Sequence, residues 1–298
     1  MEPKEAYIKA GKIAAEVLAR GIKYIEEEAF ILEICEKVED DIRKLGGEPA
    51  FPCNVSQNEE AAHYTASPND RKVVKKGSIV KLDIGVHIDG YIADTAMTVG
   101  FSSTWDRMID AARWTLEHAL KAIEPGMGFS TFGKVVEGKA SSLGFKTIEN
   151  LAGHKLGKYT VHAGESVPNR GGPSVGIFKV GEAYAIEPFL VDRRAKAYVI
   201  NKGHSNIYRL SNPKRVKDKG LRNLVMDIWN SYKGLPFASR WVYAKFGESG
   251  LSKLKRLEEL GVVHGYPILV ESSGAPVAQF EHTVLVDRES ILITTIKK

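Results

Sequence analysis

The chain has 298 residues, 43% of them hydrophobic and 27% charged, so it is long enough to bury one large core or two ordinary ones. Its formal net charge of +5 is too small to predict nucleic-acid binding by itself, and two cysteines without a Cys-x-x-Cys pair exclude a disulfide scaffold and a zinc ribbon. The sequence has no apolar run near the roughly 18 residues that a membrane helix needs and no signal-peptide pattern, which predicts a reduced cytoplasmic protein.

The first predicted elements are two helices followed by a strand. Residues 4–24 have apolar side chains at helical spacing, and residues 26–47 repeat the pattern up to the stop signal Gly46-Gly47. The stretch PAFPCNVS predicts a short strand with proline at its edge, and the polar loop QNEEAAHYTASPND then carries His63. The chain is therefore expected to begin with two helices, followed by the first strand of a sheet.

Later segments alternate between helices and strands. Helices are expected over residues 105–123 and 130–143, and strand character returns in YTVHAG, AYAIEPFLV and AKAYVIN. Residues 202–262 predict a helical insertion, after which YPILVESSGAPVAQFEHTVLVDRESILITTI is again typical of strands. The whole chain, residues 1–298, is expected to form a single α+β domain with a largely antiparallel sheet and the insertion as a subdomain.

The stretch KLDIGVHIDGYIADTAMTVG, residues 81–100, predicts a hairpin with its turn at Asp89-Gly90. Asp94 then pairs with Gly85, and Asp83 shares the face of Gly85. The two carboxylates would lie diagonally across that face, roughly 7–8 Å apart at the backbone. Because bare buried carboxylates are unfavourable or become protonated, this arrangement favours a divalent cation between them. The alternative is that one aspartate lies at a wet edge and the other caps a turn.

More ionisable side chains interrupt apolar segments in the same way. Glu187 interrupts AYAIEPFLV and Glu281 interrupts VAQFEHTVLV, so both are expected inside strands. His154 lies among glycines in LAGHKLG, and His162 lies in YTVHAG. Each alone has a structural explanation, but oxygen-rich ligands with one imidazole together predict a site for manganese, iron(II), cobalt or zinc, with a carboxylate-bridged pair of ions.

The order of these residues, with the flanks DIGVHIDGYIADTA, AGHKLGKYTVHAGESVPN, AYAIEPF and AQFEHTVLV, resembles the methionine aminopeptidases over nearly the whole chain. The helical segment resembles the insertion of the type 2 enzymes, and the early start of the catalytic domain resembles archaeal members. The resemblance implies the pita-bread (creatinase/aminopeptidase) fold, a curved antiparallel sheet covered by helices. It also implies removal of the initiator methionine from nascent polypeptide N-termini, with a small second residue preferred.

The resemblance further implies a role for each matching residue. Two divalent ions, of cobalt, manganese, iron, nickel or zinc, would be held by Asp83, Asp94, His154, Glu187 and Glu281. His63, His162 and Glu187 would be catalytic. The methionine and the peptide bond would be contacted by Phe51, His63, Val161, His162, His204 and Tyr266, where His204 requires a gap to align.

Two other functions share this pattern. An Xaa-Pro peptidase has the same fold and ligands, but usually carries a separate N-terminal domain and lacks the insertion. A pita-bread protein without metal can act as a binding module. Residues 202–260 carry thirteen Lys or Arg against five Asp or Glu, a net charge of +8 that includes Lys214, Arg215 and Lys217. This surface either docks transiently on the ribosome or is an ordinary solvated face. No exposed apolar helix suggests an obligate dimer, so a monomer is expected.

Overall fold

The computed structural model describes residues 1–213 and 216–296, and within these ranges six helices combine with fifteen mostly short strands. The helices are α1 (Pro3–Gly21), α2 (Ile31–Lys44), α3 (Asp106–Ala122), α4 (Phe129–Ser142), α5 (Lys219–Tyr232) and α6 (Ser239–Glu259). The strands are β1 (Glu48–Gln57), β2 (Glu60–Ala62), β3 (Ile79–Ile88), β4 (Tyr91–Gly100), β5 (Phe145–Thr147), β6 (Ala152–Leu156), β7 (Ser166–Pro168), β8 (Ala183–Ile186), β9 (Phe189–Asp192), β10 (Val199–Leu210), β11 (Phe237–Ala238), β12 (Val263–Glu271), β13 (Ala278–Gln279), β14 (His282–Val286) and β15 (Ile291–Ile293). No helix in the described ranges is long and apolar enough to cross a bilayer.

The N-terminal half packs α1 and α2 on the antiparallel sheet β1-β3-β4. Leu82, Ile84 and Val86 alternate along β3 and are buried in the core under these helices. Because side chains alternate across a strand, Asp83 and Gly85 face the other side of the sheet. The helices therefore cover one face and leave the other face for the ligands.

The second half repeats this layering with α3 and α4 against a sheet ordered β15-β14-β8-β6-β7. Leu116 of α3 and Phe132 of α4 share one buried cluster with Tyr184 of β8 and Val284 of β14. Helices on antiparallel sheets confirm the predicted α+β class. The stretch YTVHAG does not form a strand, however, because residues 159–164 make a loop between β6 and β7.

The two halves meet where β4 lies beside the segment that precedes β14. We call this contact the seam, made by residues 94–98 and 279–283. Glu281 N–H donates to the Ala96 carbonyl at 3.0 Å, and the Thr95 hydroxyl donates to the Glu281 carbonyl at 2.8 Å. The Thr98 hydroxyl accepts from Gln279 N–H at 2.9 Å. The seam thus joins residues from the first and last thirds of the chain.

The predicted helical insertion is shorter than residues 202–262, because residues 202–210 continue β10 in register with β12. The remaining segment contains α5 and α6, with α6 interrupted at Gly247, where φ is 59°. The helices share a cluster that includes Leu224, Val242 and Leu257. Lys214 and Arg215 lie outside the described residues.

Candidate metal centre

Asp83 and Asp94 lie on neighbouring strands of the predicted hairpin. Its turn residues Asp89 and Gly90 have φ angles of 50° and 87°, in the left-handed region that favours a two-residue turn of this kind. Gly85 pairs with Asp94, which confirms the predicted register. Since residues 83 and 85 share a face of β3, both carboxylates leave the same side of the sheet.

Glu281 reaches the same face through the seam. It pairs with Ala96 in an isolated antiparallel bridge. Next to it, the Thr283 hydroxyl accepts from Asp94 N–H at 2.7 Å and donates to the Asp94 carbonyl at 2.8 Å. A single hydroxyl therefore holds both backbone groups of Asp94 and fixes this carboxylate close to Glu281.

His154 and Glu187 come from the second half of the molecule. His154 on β6 pairs with Ala185 on β8, and Glu187 follows two residues later. A Cβ atom at Gly153 would lie 2.3 Å from the Ala185 carbonyl oxygen, so glycine allows these strands to approach. His154 Nε2 lies 3.3 Å from Glu187 Oε1 and 3.8 Å from Asp94 Oδ2. The imidazole thus stands between carboxylates from both halves.

Glu187 and Glu281 were expected inside strands, and this was wrong. Glu187 lies between β8 and β9, and Glu281 lies between β13 and β14. Pro188 follows Glu187 and has no N–H with which to continue a ladder. Glu187 therefore occupies a break between strands, whereas the backbone of Glu281 is held by its bridge to Ala96.

Burial dominates the electrostatics of these five residues. It raises the pKa of Asp83 to about 7, and burial together with the neighbouring carboxylates raises the pKa of Asp94, Glu187 and Glu281 well above their usual values. Burial also lowers the pKa of His154 to about 3, so that its imidazole is neutral. A bare cluster would therefore take up protons, whereas a divalent cation favours ionised carboxylates beside a neutral imidazole.

Unpartnered atoms show that the residues fit such a cation. Asp83 Oδ1, Asp94 Oδ1 and Glu281 Oε1 are buried without a hydrogen-bond partner. Ligand atoms of Asp94, His154 and Glu281 lie within 4.8 Å of one another. Carboxylate oxygens with one imidazole nitrogen suit first-row divalent metals, so the side chains present fit the predicted ion.

The ligands line a cavity of about 310 Å³ that also has an apolar wall. Five of the six predicted substrate-contacting residues line this cavity: Phe51, His63, Val161, His162 and Tyr266. A Cβ atom at Gly85 would lie 2.3 Å from Phe51 Cε1, so this glycine leaves the space that the Phe51 ring occupies. The structure thus combines the five candidate metal ligands with an apolar surface in one site.

His63 and His162 stand beside the metal ligands. His63 Nδ1 lies 3.3 Å from the Pro267 carbonyl, and its ring packs edge-on against Tyr266. Burial lowers the pKa of His63 to about 4, and burial followed by the charge of Arg209 lowers the pKa of His162. The His162 ring centroid is 4.3 Å from that of His154. Two imidazoles that are mainly neutral near pH 7 therefore face the cavity.

The sixth residue, His204, was expected to line the cavity, and the structure corrects this. His204 is exposed, and its Nε2 lies 3.0 Å from Glu258 Oε1 of α6. The register of β10 shifts between Lys202 and His204 and again between His204 and Tyr208. Such bulges change which face a side chain occupies. Ile207 lines the cavity from this strand instead.

Sequence reasoning missed Gln279 and Asn54. Gln279 is buried, and its Nε2 donates to Glu281 Oε2 at 3.3 Å and to Glu187 Oε2 at 3.5 Å. Its place two residues before Glu281 in AQFEH is the signal that would have found it. Asn54 lines the cavity opposite Asp83 and donates to the Pro52 carbonyl, which leaves its buried Oδ1 without a partner.

The chain is similar over nearly its whole length to a family of metallopeptidases and to several named enzymes. Residues 5–288 match the model of metallopeptidase family M24. The methionine aminopeptidase of Thermococcus onnurineus is 43% identical over 297 residues, which cover 99% of this chain and all of that protein. The methionine aminopeptidase of Methanocaldococcus jannaschii is 41% identical over 295 residues and 99% of both chains.

Solved structures give the same fold at lower identity. A thermophilic Arx1 superposes with a TM-score of 0.83 at 16% identity, covering 97% of this chain and 90% of that one. Methionine aminopeptidase from Thermotoga maritima superposes with a TM-score of 0.70 at 24% identity, covering 98% of this chain and 96% of that one. Prolidase from Pyrococcus furiosus gives 0.62 at 16% identity over 99% of this chain and 64% of the prolidase. These neighbours confirm the predicted pita-bread fold.

Proposed function

The chain belongs to metallopeptidase family M24, and we propose on this basis that it is a metal-dependent methionyl aminopeptidase that removes the N-terminal methionine from polypeptides. The observation that carries the proposal is the convergence of Asp83, Asp94, His154, Glu187 and Glu281 on a cavity with an apolar wall. The full-length similarity to named methionine aminopeptidases supports the choice of substrate.

We infer that these five residues hold two divalent ions of manganese, iron(II), cobalt, nickel or zinc. The carboxylates of Asp83, Asp94, Glu187 and Glu281 and the imidazole of His154 would supply the ligand atoms. When bound, such ions act as Lewis acids on the scissile carbonyl and make water a competent nucleophile near neutral pH. The donor set does not select among these metals. Metal content after anaerobic purification, measured by mass spectrometry, identifies the ion and its stoichiometry.

The apolar wall is the proposed pocket for the methionine side chain. Phe51, Val161 and Tyr266 line this wall and would contact the side chain, and Ile207 adds a buried aliphatic surface from β10. Burial of an apolar side chain of this size contributes about 1.5–3 kcal/mol, which favours methionine over polar first residues. A crowded exit beyond the scissile bond would favour a small second residue.

The two histidines and Glu187 are the proposed catalytic groups. A neutral His162 would donate an N–H to the carbonyl oxygen as negative charge develops there, and His63 would hydrogen-bond near the departing amide. Contact with Pro267 and Tyr266 holds His63 in place. Glu187 would move the proton from the attacking water to the leaving amine, in addition to its role as a ligand.

Metal removal tests the proposed function. The purified protein, stripped by a chelator, should not cleave Met-Ala-Ser, and addition of Mn²⁺, Co²⁺ or Fe²⁺ should restore cleavage. Turnover that survives verified metal removal would contradict the proposal. An Ala-Pro peptide is assayed in parallel, because prolidases share this fold and cleave before proline instead. Faster cleavage of Ala-Pro than of Met-Ala-Ser would assign the protein to that activity instead.

The cellular setting follows from this activity. We propose that the enzyme is a cytoplasmic monomer, that residues 1–298 form one catalytic domain, and that the segment with α5 and α6 forms an insertion subdomain within it. Its substrates would be nascent chains, which makes transient contact with the ribosome an advantage. Exposed cations on the α5–α6 segment would supply the contact, among them Lys217, Lys219, Arg222, Lys253, Lys255 and Arg256.

Salt dependence tests ribosome contact. Binding through these cations should weaken steeply as salt increases, because each phosphate contact releases a counterion. The measurement is co-sedimentation with ribosomes at salt concentrations between roughly 50 and 200 mM, the range over which such contacts weaken. Neutralising Lys217, Lys219 and Arg222 together should abolish co-sedimentation while peptide cleavage is retained. Unchanged co-sedimentation of this variant would argue that the surface is only solvated.

A further inference from the structure

Arg209 and His264 extend the wall of the cavity toward solvent. Ile207 on β10 and Tyr266 on β12 line the cavity. Arg209 follows Ile207 by two residues, and His264 precedes Tyr266 by two, so each shares the face of its cavity-lining neighbour. Arg209 and His264 pair directly across the two strands, and both are exposed. We call these two residues the rim pair.

No carboxylate neutralises Arg209 within the part of the chain that the structure describes, since none of its ion pairs includes this residue. Glu258 of α6 lies against these strands, but it contacts His204. A Cβ atom on Gly265 would lie 2.3 Å from Glu258 Oε1, which puts Glu258 on the face opposite Tyr266. The guanidinium therefore faces the cavity side of the sheet without an acidic partner.

The positive charge of Arg209 also reaches the site. Burial, followed by the charge of Arg209, lowers the pKa of His162, and the same charge opposes the rise in pKa that burial causes at Tyr266; both residues line the cavity. Glu165, next to the lining residue Ser166, is paired with Lys179, and Glu149, next to the lining residue Asn150, is paired with Arg170. The mouth of the cavity is thus electropositive on the side of the rim pair.

We propose that the rim pair binds a carboxylate of the peptide substrate and selects chains with an acidic side chain at the third position. This proposal rests on the aminopeptidase function proposed above. Two residues of strand span about 7 Å, which matches the distance from a first to a third residue in an extended peptide. A guanidinium can bind a carboxylate through two parallel hydrogen bonds, and the His264 ring can donate a further one.

The experiment compares C-terminally amidated pentapeptides that differ only at the third residue, Met-Gly-Asp, Met-Gly-Asn and Met-Gly-Lys. In the metal-loaded wild-type enzyme at low salt, KM for the Asp peptide should be about two- to fivefold below that for the Lys peptide, as for an exposed ion pair. The value of kcat should be similar for all three peptides. The preference should shrink at 0.5 M salt, where the screening length is about 4 Å.

Variants separate the rim pair from general charge effects. Arg209→Ala should bring the KM values for the Asp and Lys peptides within about twofold of each other, and Arg209→Glu should reverse the order. Lys12→Glu is the control, because it makes the same charge change on an exposed position of α1, behind the helix-covered face of the sheet. It should keep the wild-type preference. An unchanged preference in Arg209→Glu would overturn the proposal.

Two further outcomes are informative. The carboxylate could instead be the free C-terminus of a short peptide, so Met-Gly-Asn is also tested as the free tripeptide and as its amide. A preference for the free acid without any preference for Asp in the amidated pentapeptides would contradict selection by the side chain. Cleavage of the Asn peptide by every variant shows that the aminopeptidase function stands, so failure of the rim pair is distinguishable from failure of that function. Equilibrium binding of the uncleavable D-Met-Gly-Asp peptide, by calorimetry, should weaken in Arg209→Ala as KM rises.

Discussion

At the scale of single residues, three of the five candidate ligands are held by a hydrogen-bonding neighbour that is not itself a ligand. Thr283 fixes the backbone of Asp94, and Gln279 donates to Glu187 and Glu281 together. These supports leave the ligand oxygens facing one another, an arrangement that repels without a cation. Neutral donors and acceptors, the Thr283 hydroxyl and the Gln279 amide, therefore orient these carboxylates.

Gln279→Leu should weaken metal binding by about 10- to 100-fold, because the glutamates lose the amide that orients them. Competition with a fluorescent chelator measures the change. Gln57→Leu is a matched control, since Gln57 is equally buried and its side chain donates to Val73 and accepts from Lys75 N–H. Both variants should lose stability, but only the first should lose metal affinity. Equal metal affinity in both would show that Gln279 is merely structural.

His162→Ala should fold and bind metal but lose about 100- to 1000-fold in kcat, as expected for the loss of a donor to the developing oxyanion. Steady-state kinetics on Met-Ala-Ser gives the value, and metal content checks that the adjacent His154 is intact. His118→Ala, at an exposed position on α3, is the control and should be fully active. Near-normal kcat in His162→Ala would remove this residue from the catalytic groups.

Some of these residues were predictable from sequence and others were not. Asp83 and Asp94 follow from the period of a strand and from one turn, which are both local signals. His204 could not be placed, because two bulges in β10 change its face and nothing local in the sequence marks them. Thr283 is invisible for another reason, since its partner Asp94 is 189 residues away.

At the scale of elements, apolar periodicity predicted the helices well and the short strands less well. The helices α3 and α4 begin and end within a residue of expectation, because each has a long amphipathic pattern and a clear stop. YTVHAG has the composition of a strand but forms a loop, in which Tyr159 has a φ of 54°. Tertiary contacts decide such short segments, and Tyr159 N–H donates to the Gly90 carbonyl of the hairpin turn.

That hairpin turn should make stability depend on pH. His87 Nδ1 accepts from Gly90 N–H at 3.2 Å, and burial lowers the pKa of His87 to about 4. The pKa of His87 is about 6.5 in the unfolded chain and about 4 in the folded protein. Between these two pH values His87 binds a proton in the unfolded chain but not in the folded protein, so the free energy of unfolding falls as pH decreases. The full shift corresponds to about 3 kcal/mol.

Urea denaturation of wild type and His87→Asn between pH 7 and pH 4 measures this effect. Asparagine keeps an acceptor near Gly90 but cannot titrate, so the difference in unfolding free energy between the two proteins should shift in favour of the variant as pH falls. Acid release of metal affects both proteins equally and cancels in the difference. A constant difference across this range would mean that His87 is protonated in the fold without cost.

At the scale of the whole molecule, two long-range contacts unite the chain. The seam brings the carboxylates of both halves together, and a buried ion pair between Glu39 of α2 and Arg240 of α6 ties the helical insertion to the N-terminal half. Glu39 also accepts from Cys53 N–H at 3.0 Å and from Trp241 Nε1 at 2.7 Å. The ion pair has no sequence signal, because a glutamate in an amphipathic helix is normally solvated.

Arg240→Met should lower the free energy of unfolding by about 3–5 kcal/mol, because it leaves the Glu39 charge buried without its cation. Arg240 also donates to the Thr65 hydroxyl at 2.7 Å and to the Ala66 carbonyl at 3.0 Å, so these acceptors lose a partner as well. The double variant Glu39→Gln, Arg240→Met should lose less than Arg240→Met alone, since no bare charge remains. Urea unfolding of the metal-loaded protein gives these values.

Lys245→Met provides the matched control, because Lys245 and Asp227 form an ion pair between α5 and α6 with the lysine side chain 53% exposed. Loss of such a surface pair should cost less than about 1 kcal/mol. The comparison also tests how the insertion is joined to the rest of the molecule. If the buried pair couples the insertion to the rest of the molecule, wild type should show a single unfolding transition, with the same midpoint by tryptophan fluorescence and by circular dichroism. In Arg240→Met, the insertion and the rest of the molecule should then unfold in separate transitions. Equal losses in Arg240→Met and Lys245→Met, with a single transition in both, would show that the insertion is held by apolar packing instead.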